Sequence, residues 1–431
     1  MRTIFLSITS FFGCLVVAVA ALMLVNLLPN PVIEENLIRT SQSENYRPHP
    51  FFGGTMMDWW TECELMTAGM YREITPSAEA GSFDYRDGYD TPSSSPISAA
   101  WRSAVLSPNI GNCERLHQGG GGKFYFRYWM GGQVVTRPLL YLSGVGAVRL
   151  VVAALFFGSL ATFLASVKRK CGTRLAVVSL VLIAMTPIFS QFVILPHASG
   201  WIIGFLASSL LMKWGTLSNH RAVLLGLWSG MILAFFDILN NPVVVPMALT
   251  FGYFVICYAR AQAPSVLTLV LLNLAWFVGY AAFWMAKWTL AMIELGPDAV
   301  IANVTGKIGE RAGLGAGAEF TWRDSLYYNG LPMVGAVMVF MGFAIRQAAV
   351  AFAHDRASTR TSLSGSLARS FTLLPLAFST LPIVWIIVLG NHSAVHHFFV
   401  TPILVWSIIL WFFAVFAITE PREGSGGSAT G

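Results

Sequence analysis

Long uninterrupted apolar runs recur along this chain, and they restrict its fold more than any motif does. The first, Ile4 to Leu28, is long enough as a helix to cross about 30 Å of hydrocarbon. In hydrocarbon every backbone N–H and C=O must bond within the protein, so repeated runs of this kind specify an all-α polytopic membrane protein. Composition agrees: 55% of residues are apolar, 11% are charged and the mean hydropathy is +0.63, values that exclude an ordinary soluble domain. The net charge of +6 does not indicate nucleic acid, because the cations gather in short gaps such as Lys168, Arg169, Lys170 and Arg174.

After the first run, further spans are expected at about 143–167, 174–195, 199–213, 222–239, 242–259, 264–286, 331–350, 370–390 and 398–418, about ten transmembrane helices in all. The first run exceeds the core of a cleavable signal peptide and reads as a signal anchor. With the N-terminus in the cytoplasm, every inner gap is basic: 168–173, 214–221, 260–263, 351–369 and the tail. The expected organisation is a first helix at 1–28, a large outer loop at 29–141 forming a small mixed subdomain, and helices two to seven at 142–286. A second outer loop at 287–330, helices eight to ten at 331–418 and a cytoplasmic tail at 419–431 complete it. No internal repeat is visible, which weakens an inverted-repeat transporter reading.

Of five cysteines, Cys14 and Cys257 fall in spans and Cys171 in a reducing inner gap. That leaves Cys63 and Cys113 together in the outer loop, where a disulfide is expected. It would close a long loop and stabilise it by about 4 kcal/mol on the chain-entropy model.

Four segments could carry chemistry. Asp58-Trp59-Trp60-Thr61-Glu62-Cys63-Glu64 sets three carboxylates among aromatic side chains; as a helix it would put Asp58 and Glu62 on one face and Glu64 on another. Partial desolvation suits such a carboxylate to general-base work, and a solvated acidic turn is the bland alternative. Lys123-Phe124-Tyr125-Phe126-Arg127-Tyr128-Trp129-Met130, followed by Arg137, alternates rings and cations above a span. It fits a lipid-linked phosphate, or equally an interfacial aromatic belt. Asp237, with Asn240 and Asn241, stands at the outer end of a hydrophobic helix, where an acid is either functional or simply reaching water. Asn391, His392, His396 and His397 crowd one outer turn; three histidines without a fourth ligand are a weak signal for a metal, and binding a phosphate or ordering a lid is the favoured use. The second outer loop, with Lys307, Arg311, Arg323 and Asp324, reads as a mobile flap or a connector.

This order of features, an acidic motif early in a large first outer loop followed by many spans, resembles the GT-C class of membrane glycosyltransferases. Tyr128-Trp129-Met130-Gly131 with Arg137-Pro138-Leu139-Leu140, Phe236-Asp237 with Pro242, and Gly390-Asn391-His392-Ser393 with His396 look like bacterial proteins grouped with the pilin arabinofuranosyltransferases. Those proteins are distantly similar to the mycobacterial cell-wall arabinosyltransferases. The resemblance implies a GT-C-like fold in the bacterial inner membrane, with both termini cytoplasmic and a base at Asp58. It also implies a pentofuranose cargo such as arabinose, carried on polyprenyl phosphate to a pilin or glycan acceptor in the periplasm. The donor site implied by motif and residue type comprises Lys123, Arg127, Tyr128, Trp129, Arg137, Asp237, Asn241, Asn391, His392 and His396. The acidic motif departs from an Asp-Asp or Asp-x-Asp pair, which leaves the base among Asp58, Glu62 and Glu64 and argues against a metal or other cofactor.

The mechanism expected is an inverting transfer. Asp58 takes the acceptor hydroxyl proton while that oxygen attacks the anomeric carbon, and Arg127, Arg137 and His392 stabilise the departing phosphate. A lipid donor needs no nucleotide site, and no P-loop or Rossmann glycine motif is present. Two rival classes remain: a transporter or flippase of lipid-linked sugar, and an O-antigen-type polymerase or ligase.

Overall fold

The computed structural model describes residues 2–41, 59–70, 95–109, 123–190, 192–314, 318–335, 337–338, 341–342 and 365–419. The chain is all-α over these residues apart from one short antiparallel pairing, Pro108 with Phe124 and Asn109 with Lys123. Its helices up to the first basic gap are α1 (Arg2–Asn26), α2 (Asn30–Ser41), α3 (Trp59–Met66), α4 (Pro96–Leu106), α5 (Gln133–Leu142) and α6 (Val145–Cys171). Then follow α7 (Thr173–Ala184), α8 (Leu195–Trp214), α9 (Asn219–Phe236), α10 (Val244–Ala259), α11 (Val266–Leu295), α12 (Pro297–Ala312) and α13 (Trp322–Gly330). The last are α14 (Gly365–Phe378), α15 (Leu381–Val388), α16 (Gly390–Val395), α17 (His397–Val400) and α18 (Val405–Thr419).

Among the described residues five helices are long and apolar enough to cross a membrane: Phe5–Asn26, Val145–Cys171, Leu195–Trp214, Val266–Leu295 and Ser370–Val388. Shorter apolar helices lie beside them at Thr173–Ala184, Val244–Ala259 and Thr401–Ala417. The span expected at 174–195 is instead α7, ending at Ala184, and a 3-10 turn at Pro187–Ser190. The span expected to stop at 286 continues as α11 to Leu295, because neither Gly nor Pro occurs between residue 286 and Gly296-Pro297.

Burial divides the helices into a centre and a shell. In α10 every residue from Val244 to Tyr258 is buried, and α8 packs along it. The shell helices turn apolar side chains outward, among them Phe5, Val16 and Val17 of α1, Leu150 and Phe157 of α6, and Leu267, Leu274 and Phe277 of α11. Apolar exposure on this scale suits lipid, not water.

The tightest pairing joins α9 to α11, and small residues permit it. Gly226 and Gly230, spaced four apart on one face, meet the carbonyls of Leu272 and Trp276, while Gly279 meets that of Leu227. A Cβ at Gly230 would lie 2.2 Å from the Trp276 carbonyl oxygen. Gly200 and Gly204 repeat the device between α8 and the α10 side of the bundle, against Asn241 and Ala248.

Gly230→Val should therefore destabilise the bundle by about 3 kcal/mol, as overpacking against rigid backbone does, while Gly158→Val, which meets nothing within 4 Å, should not. Thermal melts of the detergent-purified variants check this; equal melting of both would refute the close-contact account.

Candidate functional site

Two helical ladders face each other across a cavity of about 200 Å³. On α11, Tyr280, Trp284 and Trp288 follow at four-residue intervals, so their rings align along one face, with centroids 5.1 Å and 5.9 Å apart. On α12, Lys307 and Arg311 are likewise four apart, and both line the cavity with Trp284 and Trp288. Arg127 and Tyr128 close a third side, and Leu239, Val388 and Leu389 supply apolar wall.

The cations are unequally occupied. Lys307 pairs with Glu310 at 2.5 Å. Arg127 donates from Nη1 to Asn303 Oδ1 at 2.8 Å, lies over the Tyr125 ring and leaves its buried Nε without a partner. Arg311 lies 5.3 Å above the Tyr128 ring, and among the described residues no carboxylate pairs with it. Burial opposes the Arg311 charge, but the tyrosines Tyr128, Tyr125 and Tyr280 and the carboxylate of Glu310 outweigh it and raise the pKa, so the guanidinium stays charged. A half-buried guanidinium with donors to spare is an anion-binding group.

Tyr128 and Trp129 are held by backbone and ring contacts. Tyr125 stacks on Tyr128 at 5.3 Å, Trp129 Nε1 donates to the Phe283 carbonyl at 2.8 Å, and Gly131 N donates to the Phe235 carbonyl at 2.8 Å. Gly131 sits so close to Phe235 that any side chain would collide with it. Trp129 is fully buried and stacks on Phe283 at 4.9 Å. Lys123 belongs to the short strand pairing with Asn109.

The turn between α9 and α10 is organised by Asp237. Its carboxylate accepts the Tyr280 hydroxyl at 2.8 Å, the Leu239 N–H at 3.0 Å and the Asn240 N–H at 2.9 Å. Leu239 is thereby held at φ 74°, a left-handed conformation that costs a branched side chain of order 1–2 kcal/mol. Its carbonyl accepts from His392 Nε2 at 3.0 Å, so both polar atoms of the strained residue are tied. Asn240 and Asn241 reach His197 at the start of α8, through its Nδ1 at 2.9 Å and its carbonyl at 3.5 Å. Burial first, then Arg311 and His396, push the His392 pKa well below its ordinary value, so the ring is neutral. His396 stands 4.7 Å from it, ring to ring.

The carboxylates part company. Asp58 and Cys113 lie outside the described residues. Cys63 is buried and disulfide-bonded, while Cys14, Cys171 and Cys257 form no disulfide among the described residues. Glu62 is buried in a bidentate ion pair with Arg149 of α6, at 2.8 Å and 2.6 Å, so its carboxylate already has a cation. Glu64, also buried, faces the tyrosines: burial and then Glu64 raise the pKa of Tyr125, and Glu64 also acts on Tyr128.

Arg137, expected at the donor phosphate, is instead fully buried as a chain clamp. It donates to the carbonyls of Val25, Leu28 and Ala68 and to Asn30 Oδ1, joining α1, α2 and α3 to α5. Asn391 is also committed, its Oδ1 accepting from Glu319 N and Phe320 N at 3.0 Å each. The described part of 287–330, expected as a flap or connector, includes two helices packed on the bundle: α12 and α13 pack on α16, and Asn329 donates to the Ser393 carbonyl at 2.8 Å. The structure brings Arg127, Tyr128, Asp237 and His392 into one neighbourhood and adds Arg311, Lys307, Tyr280, Trp284 and Trp288. The four-residue spacing of those additions on two predicted-adjacent segments was the signal that could have found them. Comparison of the chain with protein-family models, with curated proteins and with solved structures finds no match.

Two outcomes follow. Arg149→Ala should cost about 3–5 kcal/mol by leaving Glu62 charged and buried, and adding Glu62→Met should restore most of it, as a double-mutant thermal melt reads. For His392, both folded and unfolded chains are neutral above about pH 6.5. Below that the unfolded chain gains a proton and the folded one does not, so stability falls by about 1.4 kcal/mol per pH unit. Urea unfolding from pH 7.5 to 5.5 should show a steeper loss in wild type than in His392→Asn; parallel slopes would exclude this histidine as the cause.

Proposed function

We propose that the protein is a glycosyltransferase that moves a sugar, as a pentofuranose such as arabinose, from a polyprenyl-phosphate donor to a periplasmic pilin or glycan acceptor. The observation that carries the reading is the cavity itself, in which Arg311, paired with no carboxylate among the described residues, stands with Arg127 and Lys307 among Tyr128, Trp284 and Trp288. Cations fit a departing phosphate, and aromatic faces fit a sugar.

A second feature supports a lipid donor. A groove of about 600 Å³ between α1, α9 and α11 is lined wholly by apolar or small side chains, among them Val17, Trp228, Ile232, Phe235 and Phe283. Phe235 and Phe283 also touch Trp129, the neighbour of cavity-lining Tyr128. An isoprenoid chain in the groove would therefore present its phosphate toward Arg311.

In this mechanism a carboxylate removes the acceptor hydroxyl proton as the oxygen attacks the anomeric carbon, the C–O bond to phosphate breaks with inversion, and Arg311 and Arg127 hold the charge that grows on the leaving oxygen. Asp58 is the expected base, with Glu64 the alternative beside the tyrosines. Site, membrane and orientation belong together in this reading: the bacterial inner membrane, with the basic gaps inside and the cavity outside.

The test is transfer of radiolabelled sugar from purified polyprenyl-phosphate donor to acceptor. Arg311→Ala should lower it about 100-fold or more with folding intact, and Asp58→Asn should abolish it. Loss in Glu64→Gln with full activity in Asp58→Asn would move the base to Glu64. Unchanged transfer in Arg311→Ala, or donor transport into vesicles without transfer, would overturn the proposal in favour of a transporter.

A further inference from the structure

A second cationic cavity, of about 490 Å³, lies at the other end of the bundle. The separation is set by α8: Leu195 at its start is near Gly132, beside the first site, and Trp214 is at its far end, 20 residues or about 30 Å away. The cavity is lined by Arg221 of α9, Arg260 just after α10, and Ser218, Tyr253 and Gln262. None of its lining residues is acidic, and among the described residues neither arginine pairs with a carboxylate. Lys170, from the end of α6, joins them: a Cβ on Gly215 would lie 3.7 Å from Lys170 Nζ and 4.0 Å from Arg260 Nη2. Arg221 and Arg260 thus aim like charges at one space from two elements, an arrangement that an entering anion relieves.

We infer that this cavity holds the phosphate of an anionic phospholipid headgroup. Convergent arginines with spare donors suit phosphate oxygens, and basic pockets between transmembrane helices on the positive side are where such headgroups bind. α9 begins at the cavity wall, where Ser218 accepts the Arg221 N–H, so the first N–H groups of that helix add partial positive charge. The source is a lipid and not a soluble anion because of what adjoins the cavity. Leu206, Leu210 and Trp214 follow at four-residue intervals on α8 and are exposed, forming one apolar ridge that ends where Arg221 lies 6.0 Å from the Trp214 ring. A headgroup on the arginines would lay its acyl chain along that ridge. This site is independent of the transferase reading and occupies the opposite end of the fold.

Native mass spectrometry and thermal melts of the full chain in neutral detergent test it, with phosphatidylglycerol, phosphatidylcholine or inorganic phosphate added. Phosphatidylglycerol should be retained about tenfold or more over phosphatidylcholine and should raise the melting temperature. Arg221→Gln/Arg260→Gln should lose that preference while Arg323→Gln, at the other end, keeps it. If the double variant does not fold, each single variant should show a preference lowered about threefold. Equal retention of the two lipids, an undiminished preference in the arginine variants, or equal stabilisation by inorganic phosphate would overturn the inference.

Discussion

The carboxylate of Asp237 is the interaction on which the arrangement of this end of the bundle depends. An acid buried at the end of an apolar helix must have its lone pairs filled, and Tyr280 and two backbone N–H groups fill them. That satisfaction fixes α9 to α11 above the glycine seam and forces Leu239 into a left-handed turn. The turn in turn presents a carbonyl to His392 and the Asn240 side chain to His197, so α8 and α16 are registered against the same point. The cavity wall at Leu239 and Leu389 is a product of this network.

The two ladders depend on that registration. An aromatic face on α11 and a cationic face on α12 could be formed by either helix alone, but they enclose a space only when the Gly296-Pro297 junction folds one back on the other and α16 braces α12 from behind. Among the described residues no carboxylate forms an ion pair with Arg311, yet the tyrosines around it and the charge of Glu310 favour the cation.

Much of this was legible in sequence, unevenly and for physical reasons. Apolar runs announced the helices of the shell because a lipid-facing surface demands continuous hydrophobicity. The ends of α7 and α11 were misjudged, since hydropathy does not register where a helix stops short of or projects beyond the hydrocarbon. The aromatic and basic segment around Tyr128, and Asp237 and His392, were recognisable because such groups near a membrane are costly. Arg137 was recognisable as unusual but not as a clamp, because the carbonyls that it binds come from Val25, Leu28 and Ala68, remote in sequence. Lys307 and Arg311 read as part of a flap or connector because of the glycines around them, although their four-residue spacing is helical.

The ion pair between Glu62 and Arg149 has a consequence for biosynthesis. The eight-residue α3 is too short to persist as an isolated helix. It is held by Arg149, by the bond from Asn109 to the Glu64 carbonyl and by that from Gly69 to Pro108. Arg149 lies 87 residues downstream of Glu62, an interval that takes about 4–17 s to synthesise. The acidic segment is therefore synthesised well before the arginine that pairs with it, and α3 gains that support only once α6 has been made.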